Sequence, residues 1–131
     1  MPISDLAVLL RAMQPMLNSG TYAFCVVPES SDTARFVPLG TFREAEGVTV
    51  IVEESVASAH GLAPLFRAAW ITLTVNSDLA AVGLTAAVAR ALAGAGISCN
   101  VVAAAHHDHL FVPVDQGLDA IEVLRRLQSQ S

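Results

Sequence analysis

Trp70-Ile71-Thr72-Leu73-Thr74-Val75, then Asn76-Ser77-Asp78, then Leu79 to Ala95, is the stretch on which the fold turns. Its opening residues alternate apolar with hydroxyl or aromatic side chains and are rich in β-branched types, the pattern of a strand. Asn76, Ser77 and Asp78 are all good N-cap residues. Leu79 to Ala95 is rich in Ala, Leu and Val, and Gly94-Ala95-Gly96 closes it, so a helix with a glycine stop is expected. Ile97 to Ala103 and His109 to Val114 read as two further strands. Gly117 to Gln128 reads as an amphipathic helix capped by Asp115. The resulting order is β-α-β-β-α.

That order is the core of a ferredoxin-like fold, an α+β architecture built on an antiparallel sheet. Upstream, Leu6, Leu9, Leu10, Met13 and Leu17 recur at helical spacing behind Ser4, with Pro15 ending or bending the helix. Thr21 to Val27 and Gly47 to Glu53 read as strands. Glu29 to Ala34 reads as a polar loop, Phe36 to Phe42 as a short irregular strand and Glu54 to His60 as a short helix. The division expected is 1–63 and 64–131. The second half supplies only three strands before its last helix, whereas a ferredoxin-like sheet has four. The halves are therefore expected to exchange a strand, with Tyr22–Val27 or Val48–Glu53 completing the C-terminal sheet. Alternation places Ile71, Leu73, Val75, Ile97, Cys99, Val101, Leu110, Val112 and Val114 on the helix-facing side. Trp70, Thr72, Thr74, Ser98, Asn100, Val102, His109 and Phe111 fall on the other.

Ala95-Gly96-Ile97-Ser98-Cys99-Asn100-Val101 after an Ala-rich helix resembles the ACT domains of aspartokinases and other amino-acid-pathway enzymes. The longer runs Trp70–Val75, Ala81–Val88 and His107–Val114, together with Thr41-Phe42-Arg43-Glu44-Ala45-Glu46-Gly47, are similar to short, free-standing bacterial proteins made of two ACT-like halves. The resemblance covers nearly the whole chain. It implies tandem βαββαβ halves and a regulatory protein without catalytic activity that binds a small molecule, an amino acid or related metabolite.

Composition narrows the function classes. At 131 residues and net charge −5, the chain is a poor match for phosphate backbones. RNA-recognition modules share the strand–helix order but stack bases on sheet aromatics, and here 5% of residues are aromatic. No nucleic-acid partner is expected. The 53% apolar content and positive mean hydropathy point instead to surface hidden by pairing of two chains, a homodimer. No run of about 18 apolar residues suggests a membrane span. The start Met1-Pro2-Ile3-Ser4-Asp5 has no positively charged leader, and Cys25 and Cys99 form no Cys-x-x-Cys motif. A cytoplasmic protein is expected.

The chemistry concentrates at two places. The turn Asn76-Ser77-Asp78 opens a helix, whose N-terminal amides attract anions. Gly83 would leave room for a ligand or a neighbouring backbone, and Asn100 carries both a donor and an acceptor. An amino acid presents a matching carboxylate and amine. In ACT domains the effector sits at this strand–helix loop, so the resemblance carries Asn76, Ser77, Asp78, Leu79, Val82, Gly83, Leu84, Asn100 and Val101 into a candidate ligand site. Many ligand-binding ACT domains have Pro-Gly where this chain has Leu79-Ala80-Ala81-Val82-Gly83. The alternative for Asn76–Asp78 is a plain helix cap, and for Gly83 close helix packing.

His106-His107-Asp108-His109 is the second place. Three imidazoles and a carboxylate are possible Zn²⁺ or Ni²⁺ ligands. Strand alternation separates His107 and His109 from His106 and Asp108, so a polar hairpin turn is favoured over a metal site. No metal, cofactor or catalytic residue is assigned. Asp108 beside a histidine lacks a nucleophile, and Cys25 and Cys99 fit buried packing thiols. Arg43 is a weak candidate to pair a ligand carboxylate. A structural module that dimerises without ligand, and a small metal-binding protein using His106–His109, remain as alternative readings.

Overall fold

The computed structural model describes residues 5–75 and 82–131. In chain order the elements are α1 (Leu6–Ala12), β1 (Pro15–Leu17), β2 (Tyr22–Val27), β3 (Gly40–Glu44), β4 (Gly47–Glu53), α2 (Glu54–Ala59), β5 (Phe66–Leu73), α3 (Leu84–Gly94), β6 (Asn100–Ala103), β7 (Asp108–Pro113) and α4 (Gly117–Ser129). They sort into two compact units, residues 20–68 and residues 1–19 with 69–131. This grouping by contact runs differently from a division of the sequence at 63/64, because the first nineteen residues pack with the C-terminal portion. Both units have the βαββαβ plan.

In the unit of residues 20–68 the strand order is β3-β4-β2 followed by the first residues of β5, each pair antiparallel. Alternation along β2 and β4 sends Ala23, Cys25, Val27, Val50 and Val52 into one core. Ala57 of α2 closes it from the helix side. Where the plan calls for a first helix, the chain makes a single 3₁₀ turn, Thr33–Phe36, capped by Asp32 Oδ1 accepting from the Ala34 amide at 3.2 Å. Phe36 is fully buried there and substitutes for a helix face, with the Arg35 guanidinium 4.8 Å from its ring centroid. The irregular strand expected from Phe36 to Phe42 therefore begins only at Gly40.

The other unit supplies β1, β5, β7 and β6 in that order, under α1, α3 and α4. Its fourth strand comes from the N-terminus: Pro15–Leu17 takes the Ile71–Leu73 end of β5, whereas Tyr22–Val27, one of the two strands expected there, pairs with β5 at residues 66–68 and Val48–Glu53 does not pair with it. Pro15, Met16 and Leu17 face Leu73, Thr72 and Ile71 in antiparallel register. The helical spacing that included Leu17 misled, because a proline ring excludes the α region from the residue before it. The helix stops at Ala12, and its C-cap Met13 is already extended at ψ 135°. Pro15 sits at the first residue of the strand, where the missing N–H does least harm. Asp5 caps α1, its Oδ1 accepting from Val8 N at 3.1 Å; Ser4 lies outside the described residues.

One continuous core fills this unit. Leu9 and Leu10 of α1, with Met13 just past its end, meet Ile71, Leu73, Leu110 and Val112 of the sheet and Val88, Leu92, Ala120, Ile121 and Leu124 of α3 and α4. Gly117 opens α4 where an added Cβ would come within 3.1 Å of Ala69 and 3.2 Å of Leu17, so a glycine lets the helix close on the sheet. Asp115 does not cap α4; it lies in the 3₁₀ turn before it, and the N-cap Gln116 makes no side-chain bond. Among the described residues no helix is long and apolar enough to cross a membrane. Leu124 is wholly buried and Leu118 is 77% exposed on the same helix. Leu124→Ala is expected to cost about 2–5 kcal/mol and Leu118→Ala less than about 0.5 kcal/mol, read from urea midpoints.

Candidate functional site

A helix can present anion-binding amides only where its first turn is left uncapped. α3 starts at Leu84, later than the Leu79 start read from composition. Gly83 is thus its N-cap and not a residue one turn inside the helix. It adopts φ 106°, a left-handed conformation suited to glycine, and provides no side-chain cap. An added Cβ there would meet Leu6 Cδ2 at 3.1 Å, so α1 packs its first residue against the entrance to α3.

Asn76, Ser77, Asp78 and Leu79 lie outside the described residues. Val82 is 85% exposed, whereas Leu84 is 4% exposed and belongs to the core. Asn100 and Val101 are successive residues of β6 and so point to opposite faces. Val101 packs against the same core as Leu84, while the Asn100 side is exposed. The candidate set therefore divides between a core-facing pair, the buried Leu84 and the half-buried Val101, and the exposed Val82 and Asn100.

A polar array that sequence reasoning did not assemble lies on the sheet face opposite the helices. The Asn18 backbone N–H and Nδ2 both donate to the Trp70 carbonyl, at 2.9 and 3.2 Å, and Nδ2 also donates to Thr72 Oγ1 at 3.0 Å. The Trp70 Nε1–H donates to His109 Nδ1 at 3.1 Å, and Thr72 Oγ1 lies 3.2 Å from the same nitrogen. An indole nitrogen only donates, so Nδ1 must accept and the ring proton sits on Nε2. Thr72 Oγ1 accepts from Asn18 and is left to donate to the same Nδ1. Trp70 also stacks on Phe111 at 6.5 Å with ring planes 13° apart. Alternation along the strands put Trp70, Thr72, His109 and Phe111 on one face. Asn18, 52 residues before Trp70, gave no local signal.

The array holds His109 neutral. Burial first, and His107 second, push its pKa below the ordinary value, against an upward pull from Asp108. Protonation at Nδ1 would also set an N–H against the indole N–H. The neutral ring keeps Nε2–H as its remaining donor, one polarised N–H among aromatic and hydroxyl neighbours.

His106 and His107 lie in the hairpin turn between β6 and β7, while Asp108 and His109 open β7 itself. The Ala104 amide donates to the His107 carbonyl at 3.1 Å, closing the turn, and Ala103 pairs with Asp108. Asp108 is 6% exposed, and the buried His107 Nδ1 has no hydrogen-bond partner. Among the described residues no group of three His, Cys, Asp or Glu side chains is placed to hold a metal ion. Burial pushes the Cys99 thiol up to about 11 and raises Cys25 as well, so both stay protonated at neutral pH and neither is an activated nucleophile.

The comparisons with known proteins agree with this architecture. One ACT-domain model matches residues 1–69 and a second matches residues 66–126. A Vibrio cholerae protein of unknown function, described as a possible transport protein, is 44% identical, with 94% of this chain and 95% of that one covered at a TM-score of 0.85. An Agrobacterium tumefaciens protein is 16% identical over 88% of this chain and 89% of its own, at a TM-score of 0.65. The ligand-free regulatory subunit of aspartate kinase from Thermus thermophilus is 8% identical over 88% and 97%, also at 0.65. At those two identities the likeness is one of fold. No curated protein matches the chain.

The folded pKa of His109 is lowered, so the unfolded chain binds the proton more readily. The array's contribution is then complete above the unfolded value of about 6.5 and is lost as pH falls from there toward the lowered native value. Trp70 is the sole tryptophan. Its emission should show a titration step with a midpoint below about 6.5, and His109→Gln should abolish that step.

Proposed function

Because the chain belongs to the ACT-domain family, we propose that it is a regulatory protein that binds an amino acid or related small metabolite at the N-terminus of α3 and catalyses no reaction itself. The observation that carries this reading is the glycine N-cap. With no side-chain oxygen at Gly83, the first-turn amides of α3 are left for an acceptor from outside the helix. A ligand α-carboxylate is such an acceptor, and it would sit at the positive end of the helix dipole. Val82, exposed beside this turn, would contact the ligand. The Asn76–Leu79 segment leading into the turn, Leu84 behind it, and Asn100 with Val101 on β6 complete the proposed site.

Support for a non-catalytic role comes from the described chemistry. Both thiols are held protonated, and His109 Nδ1 is engaged by the Trp70 indole and Thr72. We also propose that two chains pair and that the protein works in the cytoplasm. Support for pairing is the 53% apolar content together with exposed Phe42, at 72%, and Leu65, at 74%.

Melting of the purified protein against the common amino acids tests the ligand. At a concentration near 100 times Kd, one of them is expected to stabilise the fold by about 2.7 kcal/mol. Val82→Glu places a carboxylate beside the α3 amides and should weaken that ligand by roughly tenfold. A panel in which no amino acid raises the melting temperature would refute the proposed binding.

A further inference from the structure

Two donors converge on His109 Nδ1, the Trp70 Nε1–H at 3.1 Å and the Thr72 hydroxyl at 3.2 Å. A hydroxyl or amide oxygen would satisfy the indole equally well. What an imidazole adds is a second nitrogen, and the two donors keep the ring proton on it. Among the described residues no acceptor meets that Nε2–H, and His109 is only half-buried. Its surroundings are flat and apolar. Val102 of β6 stands beside it in register, and Trp70, which stacks parallel to Phe111, reaches it from β5. Val102 is 42% exposed, and Met16, beside Thr72 on β1, is 48% exposed. The helices pack on the other side of the sheet, against Ile71 and Leu110. A half-open shelf with one fixed donor is left on this face.

The charge state of the donor selects what it can serve. Anions are bound by arginine or by a protonated imidazole, whereas burial and His107 hold His109 neutral. Asp108 is close enough to act on the same ring and would oppose a second negative charge. Trp70, Thr72 and Val102, which reach His109 from the neighbouring strands, carry no charge. An uncharged acceptor avoids both the repulsion and the desolvation of an ion. The rings beside the donor suit a flat body, since aromatic pairs add to the burial of their area. We propose that this sheet face binds an uncharged aromatic or heteroaromatic compound. Its carbonyl oxygen or ring nitrogen accepts from His109 Nε2–H, and its ring lies against Trp70 and Val102. The site is independent of the α3 turn, and either can exist without the other.

Acetophenone, an uncharged aromatic ketone that only accepts, is the probe, and benzoate is its charged counterpart of similar size. Trp70 is the sole tryptophan, so its indole N–H gives a single resonance in the nitrogen–proton NMR spectrum of the full chain. Acetophenone is expected to move that resonance saturably, with a Kd of about 1 mM or below. Benzoate should bind about tenfold more weakly or not at all. His109→Phe keeps a flat ring and removes the donor, which should weaken acetophenone by about threefold to tenfold. It also strands the indole N–H, so an exposed position supplies the second variant. Val102→Glu places a carboxylate within reach of Nε2–H and should abolish the movement at an unchanged melting temperature. An indole resonance that stays still up to the solubility limit of acetophenone overturns the site. Movement that persists undiminished in both variants overturns it as well. Benzoate binding as tightly as acetophenone overturns the assignment to uncharged compounds.

Discussion

The three-residue pairing of Pro15–Leu17 with Ile71–Leu73 is the contact on which the larger unit depends. β5 needs a neighbour on that edge, and the chain after β7 contributes only a helix. The N-terminal segment fills the place and brings α1 with it, so Leu9, Leu10 and Met13 enter the core beneath α3 and α4. The far end of the chain holds the segment down as well, since the Gln128 amide donates to the carbonyls of Arg11 and Met13. Thr74, just beyond β5, donates from both its amide and its hydroxyl to the Gln14 carbonyl. Without β1 the sheet would lose its fourth strand and the helix layer one of its members.

Much of this was legible in the residues. β4 was read at Gly47–Glu53 and lies there, because a run of β-branched residues bounded by glycine and a helix start leaves few choices. The helix-facing set of Ile71, Leu73, Leu110 and Val112 was read from alternation and is buried. So was the need for a strand borrowed from the N-terminus. Its identity was not legible, since a three-residue strand carries almost no periodicity of its own and Leu17 continued a helical spacing by coincidence. The 3₁₀ turn around Phe36 was hidden for the same reason: one aromatic residue does the packing of a helix, and no repeat announces it.

The sites divide along similar lines. Composition located the strand–helix junction, but not the residue at which α3 begins. That depends on the left-handed conformation of Gly83 and on Leu6, far away in sequence. The His109 array needed two facts that a single strand does not contain, the adjacency of β5 and β7 and the position of Asn18. Its members are satisfied by one another, so its effect is to fix a tautomer and stiffen one sheet face.

The borrowed strand also has a consequence for the order of events on the ribosome. Residues 20–68 contain all their own strands and have everything they need once Ala68 emerges. Residues 5–19 do not. α1 and β1 leave the exit tunnel with Leu9, Leu10 and Met13 exposed and wait for partners as distant as Leu124. A segment made ahead of residues 20–68 is thus secured only after residues that follow them, and the interval in which its apolar side chains stay unshielded is set by the rate of translation.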